Sequence, residues 1–147
     1  MRQAYITKSS VETQKLGEKI AKQVLKKDFN NVIGLKGGLG GGKTTFMQGF
    51  AKGLGIKEKI LSPTFVLMKK FKIKDKYVYH IDCYRIDNAK DLLDLGFKEI
   101  ISDPKNIVVV EWADKIKEIM PKDSFWIDFE FINKNSRKII VDNFFPI

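Results

Sequence analysis

The sequence of 147 residues has little cysteine and histidine, one of each, and no apolar run near the ~18–20 residues of a membrane-spanning helix. With Cys83 as its only cysteine, it cannot form an internal disulfide, a usage typical of the reducing cytosol. The beginning of the sequence lacks the apolar stretch of a secretory signal peptide. We therefore expect a cytoplasmic protein that makes no contact with a membrane.

Arginine is also scarce, although the net charge of +9 makes the protein distinctly basic. Such a charge favours either a nucleic acid or an acidic protein as a partner. Specific readout of phosphates and bases relies on the planar guanidinium group, whereas scattered lysines mainly confer solubility. The charge alone therefore leaves direct RNA binding open as an alternative. The arginines are Arg2, Arg85 and Arg137.

The length suits one domain, residues 1–147, and the pattern of apolar residues predicts an α/β fold. Four consecutive branched apolar residues at 107–110 are typical of a strand buried in a parallel sheet. Ser9 and Glu12 have the spacing of a helix capping box. We expect three layers, with a mixed, mostly parallel sheet that has antiparallel additions and is flanked by helices. The predicted strands are 3–7, 31–36, 64–73, 76–84, 107–110, 126–131 and 138–144. The first predicted helix runs from 10 to near Asp28, and the second from about Lys43 to an end at Gly53 and Gly55. Two further helices are predicted over 87–95 and 113–120, and turns at 62–63 and 97–101.

The glycine-rich segment at residues 37–44, Gly-Gly-Leu-Gly-Gly-Gly-Lys-Thr, matches the P-loop pattern G-x-x-x-x-G-K-[ST] in full. Glycines permit the positive-φ turns that aim several backbone N–H groups at a polyphosphate, and the next helix directs its N-terminus at the same anion. Lys43 would reach the β- and γ-phosphates, and the Thr44 hydroxyl would bind Mg²⁺. The pattern predicts a P-loop NTPase fold. The predicted phosphate-binding residues are Gly38, Leu39, Gly40, Gly41, Gly42, Lys43, Thr44 and Thr45.

Two acidic residues end apolar runs, and ligands of parallel α/β sheets lie at the carboxyl ends of the strands. Glu111 follows the run at 107–110 and is a candidate Mg²⁺ ligand, either directly or through a bound water. Asp82 ends the run at 77–82 and is a candidate for positioning the attacking water or a metal-bound water. Either acid could instead cap a helix. His80 is more simply a packed, hydrogen-bonded residue than a ligand, and Trp112 suits the core and the site equally.

ATP is the expected nucleotide, because the sequence lacks the Asn-Lys-x-Asp string with which GTPases read guanine. The nearest string, residues 133–136, ends in serine. Two other functions remain open at this point. A small-molecule kinase would usually need an arginine-bearing lid over the acceptor phosphate. The presence of only three arginines argues against that class without excluding it. An RNA-binding or scaffold protein would hold ATP only as a structural ligand.

Several strings together resemble the TsaE family, also called YjeE, the bacterial ATPase of tRNA threonylcarbamoyladenosine synthesis. The similarity covers roughly residues 5–142. It implies a cytoplasmic ATPase that works with the TsaB–TsaD pair, so that contact with tRNA would be indirect, through that complex. The strings are Gly-Gly-Leu-Gly-Gly-Gly-Lys-Thr-Thr at 37–45, Ser-Pro-Thr-Phe at 62–65, His-Ile-Asp-Cys-Tyr-Arg at 80–85, Leu-Gly at 95–96 and Val-Glu-Trp at 110–112.

The resemblance also assigns roles to individual residues. It implies that Thr44 and Glu111 hold Mg²⁺, that Asp82 is needed for hydrolysis, and that Thr64 lies in a switch-like loop near the γ-phosphate. With Lys43 of the P-loop, Asp82 and Thr64 make up the predicted catalytic set. The resemblance further implies that Trp112 lies at the nucleotide site and that Thr13 approaches the adenine.

The sequence departs from the family pattern at two positions of the loop. Family members usually carry Gly-Asp-Leu-Gly-Ala-Gly-Lys-Thr, whereas Gly38 here replaces the aspartate and Gly41 replaces the alanine. Loss of that acid is expected to alter turnover, and the extra glycines raise the entropic cost of ordering the loop on binding. Cys83 stands where leucine is common, which is a change of little consequence.

Overall fold

A single mixed sheet organises the computed structural model, which describes residues 2–26, 31–38, 40–58 and 67–142. Within these residues the sheet has seven strands. The strands are β1 (Arg2–Thr7), β2 (Val32–Gly37), β3 (Met68–Ile73), β4 (Lys76–Asp82), β5 (Asn106–Glu111), β6 (Phe125–Phe131) and β7 (Arg137–Asp142). The helices are α1 (Ser10–Leu25), α2 (Lys43–Leu54), α3 (Ala89–Leu93) and α4 (Phe97–Ser102), with a 3₁₀ helix at Ala113–Ile119. None of the described helices has the length and hydropathy to cross a membrane.

The strand order β1-β7-β6-β2-β5-β4-β3 places parallel pairing at the centre of the sheet and antiparallel pairing at both edges. Strands β6, β2, β5 and β4 are parallel neighbours, while the β1–β7, β6–β7 and β3–β4 pairs are antiparallel. The predicted mixed sheet is confirmed. Since the carboxyl ends of the parallel strands share one edge, the register pairs Glu111 with both Leu35 and Asp82.

Two apolar clusters cover the two faces of the sheet, which confirms the predicted three layers. One cluster packs α1 and α2 against one face, where Phe46 and Phe50 are fully buried. The other packs α3, α4 and the 3₁₀ helix against the opposite face, around Leu92 and Phe97. Cys83 belongs to this second cluster, and burial raises the pKa of its thiol to about 12, so it is an unreactive apolar residue.

Helices α1 and α2 cross at a contact so close that glycine is required on both of them. A Cβ atom added to Gly49 would lie 1.9 Å from the Gln14 carbonyl oxygen, and one added to Gly17 would lie 2.4 Å from that of Phe46. At Gly53 the corresponding distance to the Glu18 carbonyl oxygen is 2.6 Å. Gly53 therefore lies within α2 and serves the crossing, whereas the prediction that it ends the helix is wrong. Gly55, in a left-handed conformation, ends it as predicted.

Most other predicted elements are confirmed, with corrections after β4. The predicted turn at 97–101 is wrong, because Phe97 begins α4 after the left-handed Gly96. The predicted helix at 113–120 is a 3₁₀ helix that is broken at Ile116, and the helix predicted at 87–95 is shortened to α3 because the Asn88 side chain caps it at Asp91 N–H.

The N-terminal cap of α1 is confirmed, since the Ser9 hydroxyl accepts a hydrogen bond of 3.1 Å from the Glu12 N–H. Glu12 reaches back to the N–H of Lys8 rather than to that of Ser9. Strand β3 is described from Met68 onward. Leu67, which the prediction includes in that strand, lies in a bend before it. Residues 64–66, the turn at 62–63, and the predicted ends at Asp28 and Phe144 lie outside the described residues.

Candidate nucleotide site

The glycine loop connects the carboxyl end of β2 to the N-terminus of α2 at the centre of the sheet. Gly37, Gly40 and Gly42 have φ values of 139°, 77° and 99°, which residues with a Cβ atom rarely adopt. No side chain caps α2 at Gly42. The N–H groups of the first turn have no acceptor within the helix and carry its positive dipole end, so the segment can bind an anion. Thr44, predicted to bind Mg²⁺, lies in this first turn, partly buried.

Lys43 lies across the loop that precedes it. Its Nζ donates hydrogen bonds of 2.6 and 2.9 Å to the carbonyl oxygens of Gly37 and Gly38, and it lies 4.2 Å from the centre of the Trp112 ring. Burial lowers the pKa of the amine, and the carboxylates of Glu111, Asp114 and Asp82 oppose this shift. The amine is thus a desolvated cation, which an anionic ligand would stabilise.

Glu111 and His80 form a buried pair beside the loop. The His80 Nε2 lies 2.5 Å from the Glu111 Oε2, and the side chains are 2% and 4% exposed. With Glu111 ionised, the imidazole donates and the carboxylate accepts. The sequence interpretation of His80 as a packed, hydrogen-bonded residue is confirmed, but its partner is the predicted metal ligand, which the sequence did not reveal. One carboxylate oxygen of Glu111 is thereby fixed in orientation.

Asp82 ends β4 directly opposite Glu111 in the register. Its Oδ1 accepts a hydrogen bond of 2.9 Å from the Tyr84 N–H. Burial raises the pKa of Asp82, and the neighbouring Glu111 adds to the rise, while Tyr84 N–H, His80 and Lys43 oppose it. The carboxylate is therefore more basic than an ordinary aspartate, as suits a group that must accept a hydrogen bond from water.

Replacing Asp82 by asparagine is expected to stabilise the nucleotide-free protein at neutral pH. The raised pKa means that the folded state prefers the protonated carboxyl group, so ionised Asp82 costs stability above that pKa, and the cost disappears as the pH falls through it. Asparagine resembles the protonated form and can keep the Tyr84 hydrogen bond. Melting temperatures should show a gain of a few degrees at pH 7 that vanishes at low pH. A constant gain at all pH values would contradict this explanation.

Trp112 adopts a left-handed backbone conformation with φ of 58°, which is unusual for a bulky residue. Its ring lies 5.1 Å from that of Tyr84 and 5.8 Å from the Lys115 amine, in addition to the Lys43 contact. The strained turn directs the chain away immediately after Glu111. The structure thus brings together Lys43, Asp82, Glu111 and Trp112 at the carboxyl ends of β2, β4 and β5.

A cleft of about 290 Å³ adjoins the glycine loop on the side of α1. Thr13 lines it together with Gly42 and Thr45, and the Thr13 hydroxyl lies 2.7 Å from that of Thr7. Thr13, predicted from the family resemblance to approach adenine, therefore lies next to the loop. The sequence analysis missed the other lining residues, which come from the start of α1 and from the β6–β7 turn. They are Lys8, Ser9, Ser10, Lys134, Asn135 and Arg137.

Arg137 is the most distinctive of the missed residues. One of its Nη atoms donates to the carbonyl oxygens of Asn133 and Ser136, at 2.7 and 2.9 Å, and the guanidinium packs over the Phe131 ring. Its buried Nε has no hydrogen-bond partner among the residues that the structure describes. The arginine is held in place by the turn and lines the cleft. Its rarity in this sequence was the one signal that pointed to it.

The two departures from the family loop differ in their structural setting. No atom lies within 4 Å of a Cβ added to Gly38, so a residue with a Cβ atom is not blocked there. A Cβ added to Gly41 would lie 3.0 Å from the Cβ of Phe129, which explains why glycine suits this chain. Leu39 and Thr64 lie outside the described residues.

The oxygen donors at the site suit Mg²⁺. Thr44 supplies a hydroxyl and Glu111 a carboxylate, and Mg²⁺ prefers such hard ligands while keeping several waters. Within the described ranges, no group of three or more histidine, cysteine, aspartate or glutamate side chains could hold a metal by itself. A metal ion held here would therefore need ligands in addition to these two side chains.

Comparisons with known proteins agree with the motifs at this site. The model of the family described as threonylcarbamoyl adenosine biosynthesis protein TsaE matches residues 7–139. The chain belongs to the TsaE family. Proteins of the same name from Treponema pallidum and Bacillus subtilis are 30% and 38% identical, over 92% and 74% of this chain and 97% and 67% of theirs. The TsaE of Rickettsia felis is 33% identical, over 90% of this chain and 75% of its own.

A solved structure also resembles this chain throughout. The crystal structure of YdiB from Bacillus subtilis superposes with a TM-score of 0.77 at 28% identity, covering 96% of this chain and 84% of that one. Membership of the TsaE family places the chain among proteins of tRNA threonylcarbamoyladenosine biosynthesis.

Proposed function

We propose that this member of the TsaE family is a Mg²⁺-dependent ATPase that acts in the cytoplasm with the TsaB–TsaD complex on the threonylcarbamoyladenosine modification of tRNA. One observation carries the proposal. The Lys43 amine bridges two carbonyl groups of the glycine loop while Glu111 and Asp82 end the neighbouring strands. A cation, free helix N–H groups and two carboxylates at one sheet edge are the groups that phosphoanhydride hydrolysis requires.

The chain's residues divide this task. Backbone N–H groups of the loop and the first turn of α2 would bind the phosphates, and Lys43 would exchange its carbonyl partners for phosphate oxygens. Thr44 and Glu111 would hold Mg²⁺, with His80 fixing the orientation of Glu111. Bound Mg²⁺ supplies charge neutralisation on the phosphate oxygens.

Asp82 would accept a hydrogen bond from the attacking water and orient it, a role that suits its raised pKa. The nucleoside end of ATP would occupy the cleft at Thr13, where Arg137 is a lining residue and adds positive charge beside the loop. Trp112 would keep the amine of Lys43 shielded from water. The water held by Asp82 would attack the γ-phosphate of ATP, which Lys43 holds. The bond between the γ-phosphorus and the bridging oxygen would break, releasing ADP and inorganic phosphate.

The test is the release of phosphate from ATP by the purified chain, with and without Mg²⁺, alone and with TsaB and TsaD. We expect slow Mg²⁺-dependent release that the partners change, and no release in EDTA. Transfer of the γ-phosphate to a metabolite instead of water would identify a kinase. Failure to bind ATP at all would reject the proposal.

Replacing His80 by leucine is expected to weaken Mg²⁺-dependent nucleotide binding by about tenfold, the effect typical of a residue that orients a metal ligand. The carboxylate of Glu111 would lose its buried partner and its fixed orientation. Titration calorimetry of ADP with Mg²⁺ and with EDTA measures this effect separately from catalysis. We expect the affinity in EDTA to stay unchanged.

Glutamine at position 80 is the matched control, because its amide can still donate to Glu111. The His80→Gln variant should bind Mg²⁺ and nucleotide more tightly than the His80→Leu variant does. Glu111→Ala should lose the Mg²⁺ dependence altogether. Equal affinities of the leucine variant and the wild type in Mg²⁺ would show that His80 has no orienting role.

A further inference from the structure

Strands β3 and β4 present lysines and tyrosines on one face of the β3–β4 hairpin. Lys70 lies opposite Tyr79 in the register, and Lys72 lies opposite Tyr77. Lys70, Lys72 and Tyr77 are exposed, and Tyr79 is partly buried. These four residues are called the Lys–Tyr face. The alternate residues of both strands point to the other side and are buried there, as Phe71 and Val78 illustrate.

The β3–β4 hairpin, which holds the Lys–Tyr face, carries a positive charge that no described residue neutralises, and two of its lysines, Lys70 and Lys72, belong to the face itself. Residues 69–76 contain five lysines and a single acid, Asp75. Within the described residues none of these lysines forms an ion pair. The Lys70 amine lies 4.1 Å from the centre of the Tyr77 ring and 5.6 Å from that of Tyr79. Cations and aromatic rings are therefore adjacent on one surface.

We propose that the Lys–Tyr face binds an unpaired segment of RNA. Single-stranded RNA is held by cations that contact its phosphates and by exposed aromatic rings on which its bases stack, often on the open face of a sheet. An acidic protein would match the charge but would not need the exposed ring of Tyr77. The proposed function provides the ligand class, because the modification takes place on tRNA, which has unpaired loops and an unpaired end.

The face is separate from the nucleotide site. His80 and Asp82 alternate with Tyr79 along β4, so their side chains lie on the opposite side of the sheet. Lysine point charges and stacking carry little sequence information. We therefore expect RNA binding that is strongly salt-dependent, that shows little sequence preference and that does not require ATP hydrolysis.

The experiment measures the binding of a labelled tRNA, of oligouridine and of a blunt RNA duplex to the full chain by fluorescence anisotropy across a salt series. The double variant Lys70→Gln/Lys72→Gln should bind tRNA and oligouridine about tenfold more weakly. Its slope of log affinity against log salt should be shallower by about 1.4, as expected for two lost contacts to a single strand. Tyr77→Ala should weaken binding at least about fivefold, whereas Tyr77→Phe keeps the stacking surface and should bind like the wild type.

The matched control is Lys15→Gln/Lys19→Gln, which removes the same charge from exposed positions of α1. It should affect RNA affinity much less, and all variants should keep wild-type melting temperatures and ATP turnover. Equal losses in the control pair, or equal affinity for the duplex, would overturn the proposal. So would a face variant that lost binding to TsaB–TsaD while binding RNA normally. Because RNA binding is measured without ATP, a protein that binds RNA but hydrolyses nothing would reject the proposed function alone.

Discussion

Replacing Lys43 by alanine is expected to reduce ATP hydrolysis by at least about 100-fold, the loss typical when one preorganised donor to a developing negative charge is removed. The Lys43 amine is buried, lies beside the loop and is desolvated enough to lower its pKa. Its interaction with phosphate would therefore take place in a medium of low dielectric constant, where a single charge has a large effect. Phosphate release at saturating ATP measures this change.

The control is Lys52→Ala, which removes the same charge from an exposed position in the last turn of the same helix. It should retain wild-type turnover. The Lys43 variant should still fold, because alanine favours the helix and leaves no buried cation to satisfy. Wild-type ATP affinity and turnover in a folded Lys43→Ala protein would reject the assignment of the loop as the phosphate site.

Replacing Gly49 by alanine is expected to lower the free energy of unfolding by at least about 2 kcal/mol, the cost of overpacking a close contact. An alanine Cβ would lie 1.9 Å from the Gln14 carbonyl oxygen, which is backbone and cannot rotate away. The two helices would have to separate and expose part of the cluster around Phe46 and Phe50. The sign of this change is informative, because replacing glycine by alanine within an ordinary helix raises stability by roughly 0.5–1 kcal/mol.

Urea unfolding followed by circular dichroism measures this effect. Gly53→Ala, where the clash distance is 2.6 Å, should be destabilised less than Gly49→Ala and keeps the prediction testable if the latter does not fold. Gly38→Ala is the control, since its Cβ would meet no atom within 4 Å. A Gly49→Ala protein as stable as the wild type would show that the helix crossing can relax without cost.

The sequence predicted the architecture and the glycine loop because both depend on local patterns. A run of four branched apolar residues suits only a strand covered on both faces, and the position of Glu111 follows from where that run ends. Glycines before Lys43 are needed for a conformation that other residues rarely adopt, and three of the described ones adopt it. Such signals are contained in a few neighbouring residues.

Features that depend on contacts between distant segments could not be predicted. The pairing of His80 with Glu111 requires the parallel register of β4 and β5, and nothing at position 80 indicates it. The cleft brings Thr13 beside Arg137 only because β1 pairs with β7. Gly53 looks like a helix end in the sequence, and only the neighbouring α1 reveals its packing role.

The contact between the glycine loop and β6 has a consequence for how the protein is made. The backbone of Phe129 lies against Gly37, where an added Cβ would lie 2.3 Å from its carbonyl oxygen, and the Phe129 ring packs on Phe46 in α2. The segment that braces the loop therefore leaves the ribosome some 90 residues after the loop itself, as the spacing of Gly37 and Phe129 gives. A nascent chain interrupted before that point carries the glycine loop without the strand that packs against it, so we expect nucleotide to stabilise the chain only after β6 has been synthesised.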